Sequence, residues 1–155
     1  MNKPETSPLT ERPGFLVRRL HQIHQALFAE ECAAFDITPV QFSIMSVAAI
    51  YPGLDQTTLA HEVGVDRTTL ANVVARLEKR KLLRRTRSKE NHRLKCVHLT
   101  VVGQHTVAQM DNAVTRAHQR TIAALAPAER HAFMAALKCL VDSGNEYGRA
   151  PLRLG

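Results

Sequence analysis

The segment from Asp55 to Thr100, DQTTLAHEVGVDRTTLANVVARLEKRKLLRRTRSKENHRLKCVHLT, decides the fold. It reads as a helix, a tight turn, a second helix and a basic two-stranded hairpin. Asp55 is a good N-cap, and Leu59, Ala60 and Val63 form the inward face of the first helix. Gly64 stands where a terminating helix places a left-handed residue. Val65 bridges the turn and Asp66 caps the second helix, which turns Leu70, Val73, Val74 and Leu77 inward at spacings of three and four. Two helices joined this way match a helix-turn-helix, whose second helix can enter the DNA major groove.

The polar face of that second helix carries the chemistry. Thr68, Asn72, Ala75, Arg76 and Lys79 point away from the apolar stripe, with Thr69 on the flank and Arg67 at the start. Asn pairs bidentately with adenine, Arg with guanine, and Thr offers a hydroxyl or a methyl to a base edge. An ordinary solvated face is the plain alternative, and the charge distribution argues against it. Asp66 to Thr100 holds eleven Lys/Arg and three Asp/Glu, a local balance of +8 against +7 for the whole chain. All the excess positive charge therefore sits on this segment, as a phosphate-binding surface requires. Leu82–Arg87 and His92–Leu99 flank the polar turn Ser88-Lys89-Glu90-Asn91, the pattern of a β-hairpin. A basic hairpin beside a helix-turn-helix is a wing. Arg85, Arg87 and Lys89 supply phosphate contacts in this reading, and Arg93 near the tip reaches toward a minor groove.

These motifs resemble the MarR family of winged-helix transcription regulators. The resemblance rests on Leu59-Ala60, the run from Val63 to Leu70, Arg76-Leu77-Glu78, Arg84-Arg85, and the closing Leu99-Thr100 with Gly103. It extends over nearly the whole chain. Two positions depart from the family pattern: Lys81 stands where Gly is usual, and Asn91 where the wing usually has Asp, although Arg93 is retained. The second change makes the wing slightly more positive.

The remaining chain fits one domain of 155 residues with dimerisation extensions. Residues 1–14 read as a flexible N-terminal tail, 15–37 and 101–147 as dimerisation helices, 38–100 as the winged helix-turn-helix, and 148–155 as a C-terminal tail. The expected fold is thus mainly α with a small β-hairpin wing. No apolar run is long enough to span a membrane, and no apolar signal core is visible, so a cytoplasmic protein is expected. Cys32, Cys96 and Cys139 form no C-x-x-C pair and describe neither a disulfide framework nor a zinc site. There is no phosphate-cradling Gly-rich loop or nucleophile motif, so no enzyme, metal or cofactor is expected.

Phe15 to Phe35 reads as the first helix, with Leu16, Leu20, Ile23 and Leu27 on one stripe and Val17, His21, His24 and Phe28 on a second. Two histidines between apolar residues fit either a half-buried helix contact or a ligand pocket for an anion. A metal site would need a third ligand that the sequence does not offer. Arg19 flanks the core stripe and is a candidate for a bidentate grip on a carboxylate. Thr38-Pro39-Val40-Gln41 is a capping box opening the second helix. Thr100 caps a long helix, to about Ala126, whose seam is Val107, Met110, Val114, Ala117 and Thr121. After Pro127 a last helix, to about Tyr147, turns Phe133, Leu137, Leu140 and Val141 inward.

The run from Arg12 to His24 further resembles a MarR subgroup that governs aromatic-acid catabolism. That resemblance implies a homodimeric repressor on a palindromic operator. Its effector would be a small aromatic anion (benzoate-, hydroxycinnamate- or hydroxynicotinate-like) or its CoA thioester, bound by Arg19, His21 and His24. A redox-sensing repressor using Cys32 and a ligand-independent DNA-binding protein are the alternatives.

Overall fold

The structure, a computed structural model, describes residues 8–148. Its order is α1 (Pro13–Glu31), α2 (Pro39–Ile50), β1 (Leu54–Asp55), α3 (Gln56–Val63), α4 (Arg67–Lys79), β2 (Leu83–Arg87), β3 (Lys95–Leu99), α5 (Val101–Thr121) and α6 (Pro127–Ser143), with short 3-10 turns at Pro8–Glu11 and Asn145–Tyr147. Of the two terminal tails, residues 1–7 and 149–155 lie outside the described residues. Residues 8–14 differ from the expected tail: Pro8 opens a 3-10 turn, and Pro13, with its φ already set for a helix, starts α1 two residues early. At its far end α1 stops at Glu31, and Cys32 to Phe35 make one separate turn.

Caps fix most of the remaining boundaries. Thr38 and Gln41 form a capping box, the side-chain oxygen of each accepting the other's backbone N–H. Asp55 and Asp66 cap α3 and α4 identically, each carboxylate accepting the amide and the hydroxyl of the Thr three residues on. Burial opposes the charge on Asp55, yet the Thr58 amide and hydroxyl outweigh it and hold the carboxyl below the usual aspartate range. Gly64 has φ +74° and ends α3, as read from the sequence.

The hairpin is narrower than expected, because residues 88–94 all belong to its turn, and a third strand joins it. The sheet order is β1-β3-β2, all antiparallel, with Leu54 opposite Val97 and Leu83 opposite Leu99. One core runs through the molecule. Phe28, Ile44, Met45, Leu59, Leu70, Val74, Leu77, Leu83, Val97 and Met110 are essentially inaccessible to water. From α1 the buried anchor is Phe28, whose ring meets Phe42 at 6.4 Å. Leu16 and Ile23, expected on the core stripe, are instead about half exposed, at 49% and 48%. Leu140 and Val141 of α6 are exposed as well, and none of the residues of α6 is buried in the single chain.

Two backbone positions hold the winged domain to the long helix. Lys81 has φ +60°, and its neighbours close a Schellman motif: Lys81 N–H donates to Glu78 O, and Leu82 N–H to Leu77 O. The family preference for Gly here is therefore conformational, and Lys81 carries the left-handed cost of a side chain. At Gly103 the opposite holds: φ is ordinary but space is absent. A Cβ there would fall 2.1 Å from the Leu82 carbonyl oxygen. Thr100 locks this contact, donating its hydroxyl to Lys81 O at 2.6 Å and accepting Gly103 N–H at 3.0 Å.

Lys81→Gly should therefore raise unfolding stability by about 1 kcal/mol, and Gly103→Ala should lower it by at least about 2 kcal/mol through overpacking. Urea midpoints of the two variants check both signs; a neutral Gly103→Ala would show that α5 can shift freely.

Candidate functional site

The exposed face of α4 gathers Arg67, Thr68, Thr69, Asn72, Arg76 and Lys79, while Leu70, Val74 and Leu77 are buried beneath it. Thr69 has its hydroxyl committed to the Asp66 cap at 2.7 Å, so to an incoming base it presents its methyl and a lone pair. Arg87, Lys89 and Arg93 are exposed on the wing. The wing turn is internally bonded. Ser88 Oγ accepts the amides of Glu90 and Asn91, and Asn91 Oδ1 accepts the amide of Arg93 at 3.1 Å. Neutral Asn91 thus provides this backbone bond without a carboxylate's charge.

Arg85 departs from the sequence reading. Period-two alternation puts it on the same sheet face as buried Leu83, over the end of α4. Its guanidinium binds Glu78 Oε1 at 2.9 Å and its backbone N–H donates to Glu78 Oε2. These bonds hold the Glu78 carboxyl below its usual range, against the opposing effect of burial. Arg85 is thereby a brace between wing and recognition helix. Arg80 is a second brace that the sequence did not announce. It donates to the carbonyls of Phe35 and Asp36, tying the end of α4 to the α1–α2 loop.

The second feature is a cavity of about 840 Å³ between the N-terminal half of α1, the C-terminal half of α5 and α6. Val17, Leu20, Val114, Ile122, Phe133 and Leu137 make it predominantly apolar, and His21, His24 and His118 supply imidazoles. His24 Nδ1 lies 2.8 Å from Thr121 Oγ1, and its ring is 4.7 Å from that of His118. Burial, then the neighbouring His118 and His21, lower the His24 pKa below the ordinary histidine value. Arg19 is not gathered into this cavity. It sits roughly 200° round the helix from His21 and donates to Gln22 Oε1 at 2.8 Å. His118 was missed in the sequence, although Val114, His118 and Ile122 form an i, i+4, i+8 ridge beside the recognised seam. Among the described residues no three His, Cys, Asp or Glu side chains are grouped to hold a metal ion.

Cys32 is 2% exposed, and burial followed by the Glu31 charge raises its pKa. Both effects suppress the thiolate that oxidant sensing needs. Glu31 itself is committed to Arg116 and Arg120 of α5, at 2.8 and 2.9 Å.

A helix-turn-helix with a basic recognition face and a basic wing defines a winged-helix DNA-binding protein, and comparison with known proteins agrees. A sequence model of the MarR family matches residues 37–95. The putative transcriptional regulatory protein for the hcr operon of Thauera aromatica is 33% identical over 93% of this chain and 92% of its own length. The chain belongs to the MarR family of transcriptional regulators, which are not enzymes. Among solved structures, Bordetella bronchiseptica BpsR, described with a mechanism for regulation of its DNA binding by 6-hydroxynicotinic acid, is 28% identical. It superposes with a TM-score of 0.83 over 88% of this chain and 98% of that one. The repressor CouR bound to a 23-mer DNA duplex is also 28% identical, with a TM-score of 0.82 over 90% and 99%. No described helix is long and apolar enough to cross a membrane.

Arg76→Ala should relax sequence discrimination by about 1–3 kcal/mol, whereas Arg93→Ala should weaken binding to all sequences and reduce the salt slope by about 1. Arg85→Ala should leave the salt slope nearly unchanged and loosen the wing. Fluorescence anisotropy on operator and scrambled duplexes at several salt concentrations separates the three; equal losses of salt slope would put Arg85 on the phosphates.

Proposed function

We propose that this regulator is a homodimeric repressor whose effector, a small aromatic acid, releases it from a palindromic operator. The observation that carries the reading is the apolar, histidine-bearing cavity at the meeting of α1, α5 and α6. It has room for an aromatic ring, and its polar groups are suited to a carboxylate. The ligand-regulated DNA binding described for BpsR, on a fold of the same shape, supports it.

Dimerisation through α1, α5 and α6 follows from what those helices leave uncovered. Leu16, Val17, Ile23, Met134, Leu140 and Val141 are all substantially exposed in the single chain. Each large apolar side chain gains about 1.5–3 kcal/mol on full burial, so such a face favours a second copy. One winged helix reads only a half-site, and a two-fold dimer matches a palindrome. In this proposal residues 15–37 and 101–147 pair the subunits, and 38–100 binds DNA.

An effector relieves repression if it binds the free form better than the DNA-bound form by about 2–3 kcal/mol. The test is anisotropy of the protein on labelled DNA from its own upstream region, titrated with benzoates, hydroxycinnamates, hydroxynicotinates and their CoA thioesters. Release by one acid at micromolar concentration is the expected result. His21→Ala should raise the concentration needed for release at least about tenfold, the loss of one charge-assisted hydrogen bond. Tight, salt-sensitive binding that no compound relieves would leave a ligand-independent DNA-binding protein.

A further inference from the structure

We infer that the cavity takes its acid together with a proton, the anionic carboxylate being neutralised by protonation of the His24–His118 pair. The inference rests on the aromatic-acid reading above and specifies its chemistry.

The cavity holds no permanent positive charge. Its walls come from α1, α5 and α6, and the lining contains no Lys, Arg, Asp or Glu. A carboxylate entering mostly apolar surroundings loses hydration that it must recover from a positive charge. Charged groups near the cavity on these helices have partners of their own. Glu30 and Glu31 of α1 are paired with Arg116 and Arg120 of α5, and Arg19 is bonded to Gln22 outside the cavity. From α6 the lining side chains are Phe133, Met134 and Leu137, none of them titratable. The titratable groups facing His24 are therefore His21 on its own helix and His118 on α5.

Hydrogen bonding then selects the atom. Thr121 Oγ1 lies 2.8 Å from Ala117 O, to which it can donate its single proton and so accept from His24. In that arrangement His24 Nδ1 carries the hydrogen of the 2.8 Å contact. That leaves Nε2 as the basic nitrogen. Without a ligand, burial and the two neighbouring imidazoles keep His24 in its neutral form near pH 7. A carboxylate reverses that balance, because it attracts the proton that the other imidazoles repel. The proton comes from solvent, no covalent bond changes, and the His118 ring, 4.7 Å from that of His24, lies close enough to face the same carboxylate.

The sign follows from linkage. Affinity for the acid is highest at low pH, where His24 is already protonated without ligand. It falls by up to about tenfold per pH unit where binding must bring the proton with it. An aryl thioester or amide presents a neutral carbonyl and gains no such dependence.

The experiment is titration calorimetry of the full chain with 4-hydroxybenzoate and 6-hydroxynicotinate at pH 7.5, in phosphate and in Tris. The different ionisation enthalpies of the two buffers report protons taken up. Uptake of about one proton per acid bound, absent with 4-hydroxybenzamide, is expected. It should be lost in His24→Gln and reduced in His118→Gln, the latter at an exposed position where misfolding is not a concern. Binding of the acids without uptake would overturn the inference while leaving the effector reading intact. Undiminished uptake in both variants would put the proton on His21 or on the acid itself, and would equally overturn it. Failure of every acid to bind, with DNA binding preserved, would remove the effector reading and this inference together.

Discussion

The peptide at Leu82 is the point on which the molecule turns. Its N–H closes the end of α4 by donating to Leu77 O, and its C=O accepts the amide of Thr100. The same carbonyl is the surface against which Gly103 packs, at a distance that excludes any side chain. The recognition helix, the root of the wing and the start of the long helix are therefore joined through the backbone of one residue, Leu82. Arg85 and Glu78 add a second tie between wing and α4 only a few residues away. In the proposed regulator, a displacement of α5 at this joint would reorient the recognition surface with it, since no loop intervenes.

The distance involved suits that role. α5 is 21 residues long, about 30 Å of rigid rod, with Gly103 at one end and His118 and Thr121 at the other. Cavity and DNA surface thus occupy opposite ends of one element. In the proposed regulator, small tilts at the cavity end would become rigid-body displacements of the winged domain, because close-packed cores shift between arrangements and do not bend continuously. The clamp of Glu31 on Arg116 and Arg120 lies at the cavity end of α5 and ties the end of α1 to it.

Much of this was legible in the sequence, and the reasons for success and failure are separable. Asp55, Gly64, Asp66, Thr38 and Thr100 announce their boundaries because a cap acts on neighbours three or four residues away, within reach of local pattern. The recognition face was legible for the same reason, since one helix sets its own periodicity. The tie of Arg85 to Glu78 was not legible, because charge alone does not say which sheet face a residue takes; its parity with Leu83 does. β1 was not visible, since two residues carry no period and their pairing with β3 is a long-range fact. The stripe of Leu16 and Ile23 was correctly seen as apolar and wrongly placed in the core. Periodicity shows that a face seeks burial without saying against which surface. His118 needed the packing of α1 on α5 before it could be set beside His24.

That ambiguity about burial bears on how the proposed regulator would work. α6 has 17 residues and no buried side chain of its own, yet Phe133, Met134 and Leu137 form one wall of the cavity. An isolated helix of this length is marginal in water, so its position depends on whatever covers Leu140, Val141 and the neighbouring apolar surface. If a second copy covers them, the wall of the effector cavity is held in place by the dimer contact. Ligand and subunit geometry then compete for the same helix. An acid that draws α6 toward its ring changes the separation of the two winged domains without touching either one. The operator enters the same balance from the other side, because a fixed half-site spacing selects one subunit separation and with it one position of the cavity wall.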